Sequence, residues 1–279
     1  MSQTYWRDRW RRQKQALFAT PGYVDPARYW SMEQNVDLYR KSRDRPAWRE
    51  KSAAQRAAMQ IPPGSRVLDI GGGAGTLAIP LAVQGCHVTV IEPSSMMRLE
   101  LAGNCPQERS GSLEVLPLRW EQMPDPVPGG PFDAVIASYS LTVTDIEGAL
   151  LKMQACCRGT VHLFWFLTAP SWARVSRDLW PALYGAEYPG EPLADCLWQV
   201  LYEMEIFASI AIEKKPRSCY RTIGEAVEQA FQKLNCSTPH QREILQAYFS
   251  AHLCPGDEGF FLPEPAFSAH IWWSTAGDR

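Results

Sequence analysis

The sharpest change of hydrophobic period in the chain falls at residues 67–75, Val-Leu-Asp-Ile-Gly-Gly-Gly-Ala-Gly. Val67, Leu68 and Ile70 beside Asp69 read as a short buried strand, and Gly71, Gly73 and Gly75 turn it into the helical run Leu77, Ile79, Leu81, Ala82. The alternation continues downstream. Strands are expected at Cys86–Glu92, Leu113–Leu118, Phe132–Ser138 and Thr160–Phe166, with a helix over Asp145–Met153. Strands alternating with helices predict an α/β fold, a doubly wound, mostly parallel sheet with helices on both faces.

Upstream, Trp6, Trp10, Leu17 and Phe18 share one helical face. Asp25-Pro26 reads as the N-cap and first residue of a helix through Trp30 and Tyr39 that ends before Pro46, and Ala47–Met59 as a further helix. Beyond the core, residues 169–205 are rich in Trp, Tyr, Pro and Leu, with Leu193, Leu197, Val200 and Met204 at helical spacing. Ile206, Ala208, Ile210 and Ile212 alternate as a strand, and Thr222 with Glu225 and Thr238 with Gln241 make capping boxes for two helices. Phe267, Ala269, Ile271 and Trp273 alternate as a closing strand.

Glycine is required in the 71–75 turn because a backbone this tight visits positive φ, and because a side chain would hold the loop away from a ligand. A dinucleotide fingerprint needs glycine at the first, third and sixth places, and Thr76 stands at the sixth. The pattern present is Asp69-x-Gly71-x-Gly73-x-Gly75. It resembles the first motif of the class I S-adenosylmethionine-dependent methyltransferases. The resemblance implies a Rossmann-like sheet of seven strands, the last antiparallel, with S-adenosylmethionine as cofactor. Asp69 would then meet the cofactor's ammonium group, with Gly71, Gly72, Gly73 and Gly75 as its cradle. Glu92 ends the next strand about 20 residues past the glycines, where a carboxylate accepts from the ribose hydroxyls. Pro93 and Met97 follow it, and Met96 or Met97 is placed against the adenine. Trp120 and Glu121 look like the family's adenine-edge position, and Ser138 ends the fourth strand. Ligands of open α/β sheets bind outside strand carboxyl ends, so Asp69, Glu92, Trp120 and Ser138 converge. A domain that binds another nucleotide, or none, is the competing reading.

The implied division is a helical cap over 1–60, an S-adenosylmethionine-binding core over 61–168, a substrate-recognition insert with the sixth strand and helices over 169–258, and the closing strand of the core sheet over 259–279. With 279 residues, 46% hydrophobic and 21% charged, the chain supports one such catalytic domain with additions. No apolar run nears the roughly 20 residues of a membrane span, and Met1–Arg12 lacks the apolar centre of a signal peptide, so a cytoplasmic protein with no membrane partner is expected. Eight cysteines without C-x-x-C spacing read as reduced buried thiols. No metal is expected, because His240, His252 and His270 have no Cys or carboxylate partner at ligand spacing. The net charge of −2 conceals an asymmetry, since residues 1–60 carry 13 Lys or Arg against 6 Asp or Glu. Such a segment docks either on the acidic remainder or on a macromolecule. Lacking a stacking pattern, it disfavours nucleic acid as partner.

Methyl transfer from a sulfonium needs the acceptor atom held about 3 Å from the methyl carbon, and much of the acceleration comes from that positioning. A base is needed only where the acceptor must lose a proton. Ala137-Ser138-Tyr139-Ser140 lacks the Asn/Asp-Pro-Pro-Tyr type motif that grips an exocyclic base nitrogen, and the Pro-Cys pair of cytosine C5 enzymes is missing. The expected acceptor is therefore an oxygen, nitrogen or carbon of a small, partly apolar or aromatic metabolite. Tyr139 and His162 are candidate acid, base or orienting groups, although a histidine inside an apolar strand equally serves as a satisfied core residue. Trp30, Tyr39, Tyr139 and Trp172 are candidate acceptor walls. The alternatives are an RNA or protein methyltransferase that docks its substrate through Arg7, Arg9, Arg11, Arg12 and Lys14, and a non-catalytic S-adenosylmethionine-binding protein.

Overall fold

The computed structural model describes residues 4–43, 45–257 and 259–275. Four helices come first, α1 (Tyr5–Ala19), α2 (Pro26–Tyr29), α3 (Glu33–Arg43) and α4 (Pro46–Met59). Strands and helices then alternate as β1 (Arg66–Ile70), α5 (Ala78–Val83), β2 (His87–Ile91), α6 (Ser95–Asn104), β3 (Ser112–Leu116), β4 (Phe132–Ser138), α7 (Ile146–Cys156) and β5 (Cys157–Phe166). After these come α8 (Ser171–Tyr184), α9 (Ala194–Glu203), β6 (Ser209–Lys214), β7 (Cys219–Tyr220), α10 (Ile223–Lys233), α11 (Pro239–His252), β8 (Cys254–Gly256), β9 (Gly259–Phe261) and β10 (Phe267–Ser274).

Seven strands form the main sheet in the order β3-β2-β1-β4-β5-β10-β6, with β10 antiparallel to both neighbours and the other pairs parallel. The expected seven-stranded, mostly parallel α/β sheet is what the chain forms. Strand order reverses between β1 and β4, and Ile70 pairs with both Ile91 and Ala137. Consequently Gly71, Glu92 and Ser138 leave three adjacent strands side by side at the carboxyl edge, where such sheets open a crevice. Both faces are covered. Val67, Leu81, Val88 and Leu101 pack on one side, and Leu68, Val135, Leu150 and Met153 on the other.

Helix α1 belongs to this second face. Trp10 is fully buried and its indole N–H donates to Val143 O at 2.9 Å. Burying a tryptophan removes about 200 Å² from water, worth roughly 5 kcal/mol of transfer free energy. Thr4 provides no side-chain cap for α1, and Glu203 of α9 instead accepts from the N–H groups of Trp6 and Arg7 at 2.9 and 3.3 Å. Arg7 pairs with Glu147 and Glu203, and the buried Lys14 with Glu191. The basic N-terminal segment thus docks on the acidic body.

Several expectations need correction. The helix opened by Asp25 breaks after Tyr29, where Asn35 Nδ2 donates to Tyr29 O and Trp30 caps the short helix. Ile210 and Ile212 are exposed because β6 is an outer strand of the sheet. Thr222 accepts from Glu225 N–H, but the Glu225 carboxylate accepts from Arg221 N–H, so only half of that capping box forms; the Thr238–Gln241 box is complete. A second sheet, β7-β9-β8, was not expected, and it draws β9 out of the stretch assigned to the closing strand. It covers a separate apolar cluster built on Leu179, Trp180, Leu245 and Phe249. Among the described residues no helix is long and apolar enough to cross a membrane.

Candidate active site

Where β1 ends, Gly71, Gly73 and Gly75 take φ values of +68°, +56° and +81°. A Cβ on Gly72 would lie 2.7 Å from Asp69 Oδ2, whereas one on Gly73 would meet nothing within 4 Å. The loop therefore packs tightly against β1 and faces open space at Gly73. Glu92 fixes this shape, accepting from Gly73 N–H at 2.9 Å and from Ser94 N–H at 2.7 Å. Asp69 is 2% exposed and takes no hydrogen bond among the described residues. Burial, and then the neighbouring Glu92, raise its carboxyl to about 7. Burial also raises Glu92, against the lowering effect of its two backbone donors. Arg98 acts on Glu92 but no cation acts on Asp69, so the buried pair is matched by an ammonium and hydroxyl donors, the groups a sulfonium amino acid nucleoside carries.

These residues line a cleft of about 260 Å³. Gly71, Gly72, Gly73, Pro93 and Met97 line it with the two carboxylates, and Trp120 and Glu121, just past β3, and Ser138, at the end of β4, flank them on either side. Trp30, Tyr39 and Tyr139 supply aromatic walls. The cap is pinned over the cleft by Tyr39 Oη with Thr76 Oγ1 at 2.7 Å, Ser94 Oγ to Trp30 O at 2.9 Å, and the Arg119–Asp25 ion pair at 2.5 Å.

The family model described as a methyltransferase domain matches residues 39–199, more than half of the chain. The chain belongs to that methyltransferase family. It is accordingly a methyltransferase whose cofactor is S-adenosylmethionine, and the glycine loop with its two carboxylates fits that molecule. Over 223 residues the methyltransferase is 28% identical to an uncharacterized protein of Haemophilus influenzae, covering 78% of this chain and 79% of that one. Over 126 residues it is 32% identical to the ubiquinone biosynthesis O-methyltransferase of Methylocella silvestris, covering 45% and 46% of the two chains. Its fold is similar to a solved putative methyltransferase from an antibiotic biosynthesis pathway of Anabaena variabilis, with TM-score 0.54, 19% identity, and 79% and 96% coverage.

Three sequence candidates of the methyltransferase do not reach the cleft. Gly75 lies behind the loop, where a Cβ would strike Ile79. His162 is buried in β5 with Nδ1 3.1 Å from His270 Nε2, and burial holds the two imidazoles down at about 3 and 4. Held against His270 and absent from the cleft lining, His162 is not placed to exchange a proton with an acceptor there. Trp172 packs edge-on against Phe166 at 6.1 Å instead.

Other lining residues escaped the sequence reading. Trp48, Lys51, Ser52 and Gln55 of α4 stand at i, i+3, i+4 and i+7, so one helical face supplies all four. The signal was present in that spacing, but its mixture of polar types conceals it from a search for apolar stripes. Gln55 Nε2 donates to Ser138 Oγ at 3.3 Å, tying α4 to the end of β4. Tyr139 holds φ +56°, a sparsely populated conformation for a bulky residue, and this turns its ring into the cleft. Its hydroxyl accepts from Lys215 Nζ, and burial pushes the phenol above its ordinary range.

Proposed function

We propose that this enzyme methylates an oxygen, nitrogen or carbon of a small, partly aromatic molecule. The observation that carries the reading is that one cleft of about 260 Å³ joins the carboxylate-lined glycine loop to aromatic walls from the cap. Bound S-adenosylmethionine supplies a methyl group on a positively charged sulfur, open to in-line displacement. In this reading Asp69 holds the ammonium, Glu92 the ribose hydroxyls, Gly71–Gly73 the close backbone approach, and Met97, Trp120 and Glu121 the base. Trp30, Tyr39 and Tyr139 exclude water and position the acceptor. Tyr139 stays a neutral phenol and acts as an orienting group, since its raised pKa leaves it no tendency to ionise. The division into cap, core and added elements, and a cytoplasmic setting suited to eight free cysteines, belong to the same reading.

A macromolecular substrate would need the cap's cations, and Arg7 and Lys14 already pair with Glu147, Glu203 and Glu191. The test is calorimetric titration with S-adenosylmethionine, with NAD and ATP as controls, followed by a small-molecule panel screened for S-adenosylhomocysteine. Saturable binding of S-adenosylmethionine alone and turnover of a small acceptor are expected. Turnover with RNA or protein, and with no small molecule, would replace this reading with the macromolecular one.

A further inference from the structure

We propose that the Tyr139 end of the cleft holds the methyl acceptor by a single carboxylate group, gripped by Lys51 and Lys215; this rests on the small-molecule reading above. Lys51 lines the cleft one helical turn from Trp48, with Nζ 4.3 Å from the centre of the Tyr139 ring and 5.3 Å from that of Trp48. Lys215 directly follows β6, its backbone N–H donating to Ala266 O at 2.7 Å. Its Nζ donates to the Tyr139 hydroxyl and lies 4.4 Å from the ring centre. Two ammonium groups from distant parts of the chain therefore meet on one side chain.

Neither lysine forms an ion pair among the described residues. The charged group acting on both, and on Tyr139, is the Glu213 carboxylate of β6. With both lysines charged, as an anion between them would hold them, two cations against one anion leave one positive charge to be matched, which suits a carboxylate better than a phosphate dianion. The hydrogen-bonding inventory points the same way. Trp48 Nε1 is a buried donor without a partner, the ammonium groups only donate, and the Tyr139 hydroxyl already accepts from Lys215. Glu213 is the one acceptor-only group acting on these donors, and a second is what this end lacks. Burial lowers both lysines, Lys215 to about 6 with mutual repulsion as its next cause, and an anion set between them would reverse that.

The probes are phenylacetate, phenylacetamide and phenyl phosphate, titrated without S-adenosylmethionine and followed by the indole N–H resonances. Phenylacetate should shift the Trp48 signal and bind at least about 10-fold tighter than its amide. Lys51→Met and Lys215→Met should each erase that preference, and Lys51→Arg should retain it, with circular dichroism and S-adenosylmethionine titration as checks of folding. Equal binding of acid and amide, or a preference that survives both methionine variants, would overturn the proposal, and tighter binding of phenyl phosphate would overturn the monoanion match. Because these probes need no turnover, failure to methylate any small molecule would count against the small-molecule reading alone.

Discussion

At the glycine-loop end the cleft is acidic, and its parts come from one strand-loop-helix-strand stretch in which Glu92 reaches back 19 positions to Gly73. At the Tyr139 end its lining comes from α4 and the end of β4, with Lys215, the residue after β6, supporting Tyr139 from 76 positions away. One end answers a fixed ligand with a local motif. The other meets its ligand with residues that only the folded sheet assembles, so it can change without disturbing the first.

That separation can be broken in order of expected effect. Gly73→Arg fills the open space beside the loop and should lower S-adenosylmethionine affinity at least about 1000-fold, roughly 4 kcal/mol by calorimetry. Its melting temperature should fall only about 3 °C, from strain at positive φ.

Asp69→Asn tests the acidic end through pH. The folded carboxyl titrates at about 7 against an ordinary 3.8, so the native state keeps a proton that the unfolded chain loses in between. Ligand-free stability should then decline as pH rises from about 4 to about 7, and the variant should exceed the parent by about 4 kcal/mol at pH 8 and match it at pH 3. Identical melting curves at pH 8 would remove the buried-anion account.

Tyr139→Phe removes the hydroxyl that Lys215 contacts. Acceptor kcat/KM should fall about 30-fold, roughly 2 kcal/mol, with S-adenosylmethionine affinity retained. A parallel loss of cofactor affinity would show that the two ends are coupled. His162→Leu should cost only about 1 kcal/mol in a denaturant melt, by stranding His270, and leave cofactor affinity in place. Smallest is Arg12→Ala, an exposed change expected to alter stability by less than about 0.5 kcal/mol and to leave turnover unmoved.

The glycine loop and the strands around it are legible in sequence because their chemistry and their geometry share the same few residues. Phe132–Ser138 is observed with the bounds expected, and Asp69 and Glu92 face the same cleft. What escapes is set by contacts between distant segments. Asn35 breaks a helix by bonding Tyr29, His162 is claimed by a partner 108 positions away, and Lys215 gains its place only because β6 lies beside β10. An alternating pattern marks β6 as a strand, but only its outer position in the sheet leaves Ile212 in water. The cap helix α4 escapes for a different reason, since Trp48, Lys51, Ser52 and Gln55 share a face without sharing a polarity.

The clasp of α1 also imposes a schedule on synthesis. Trp10 and Trp6 are made well before the groups that receive them, since Val143 O and the Glu203 carboxylate lie 133 and 197 positions further along the chain. At ribosomal speeds of 5 to 20 residues per second, that gap is roughly 10 to 40 s. For that interval the nascent chain carries a tryptophan-bearing helix without its full set of partners, and α1 is locked only after α9 has followed it out.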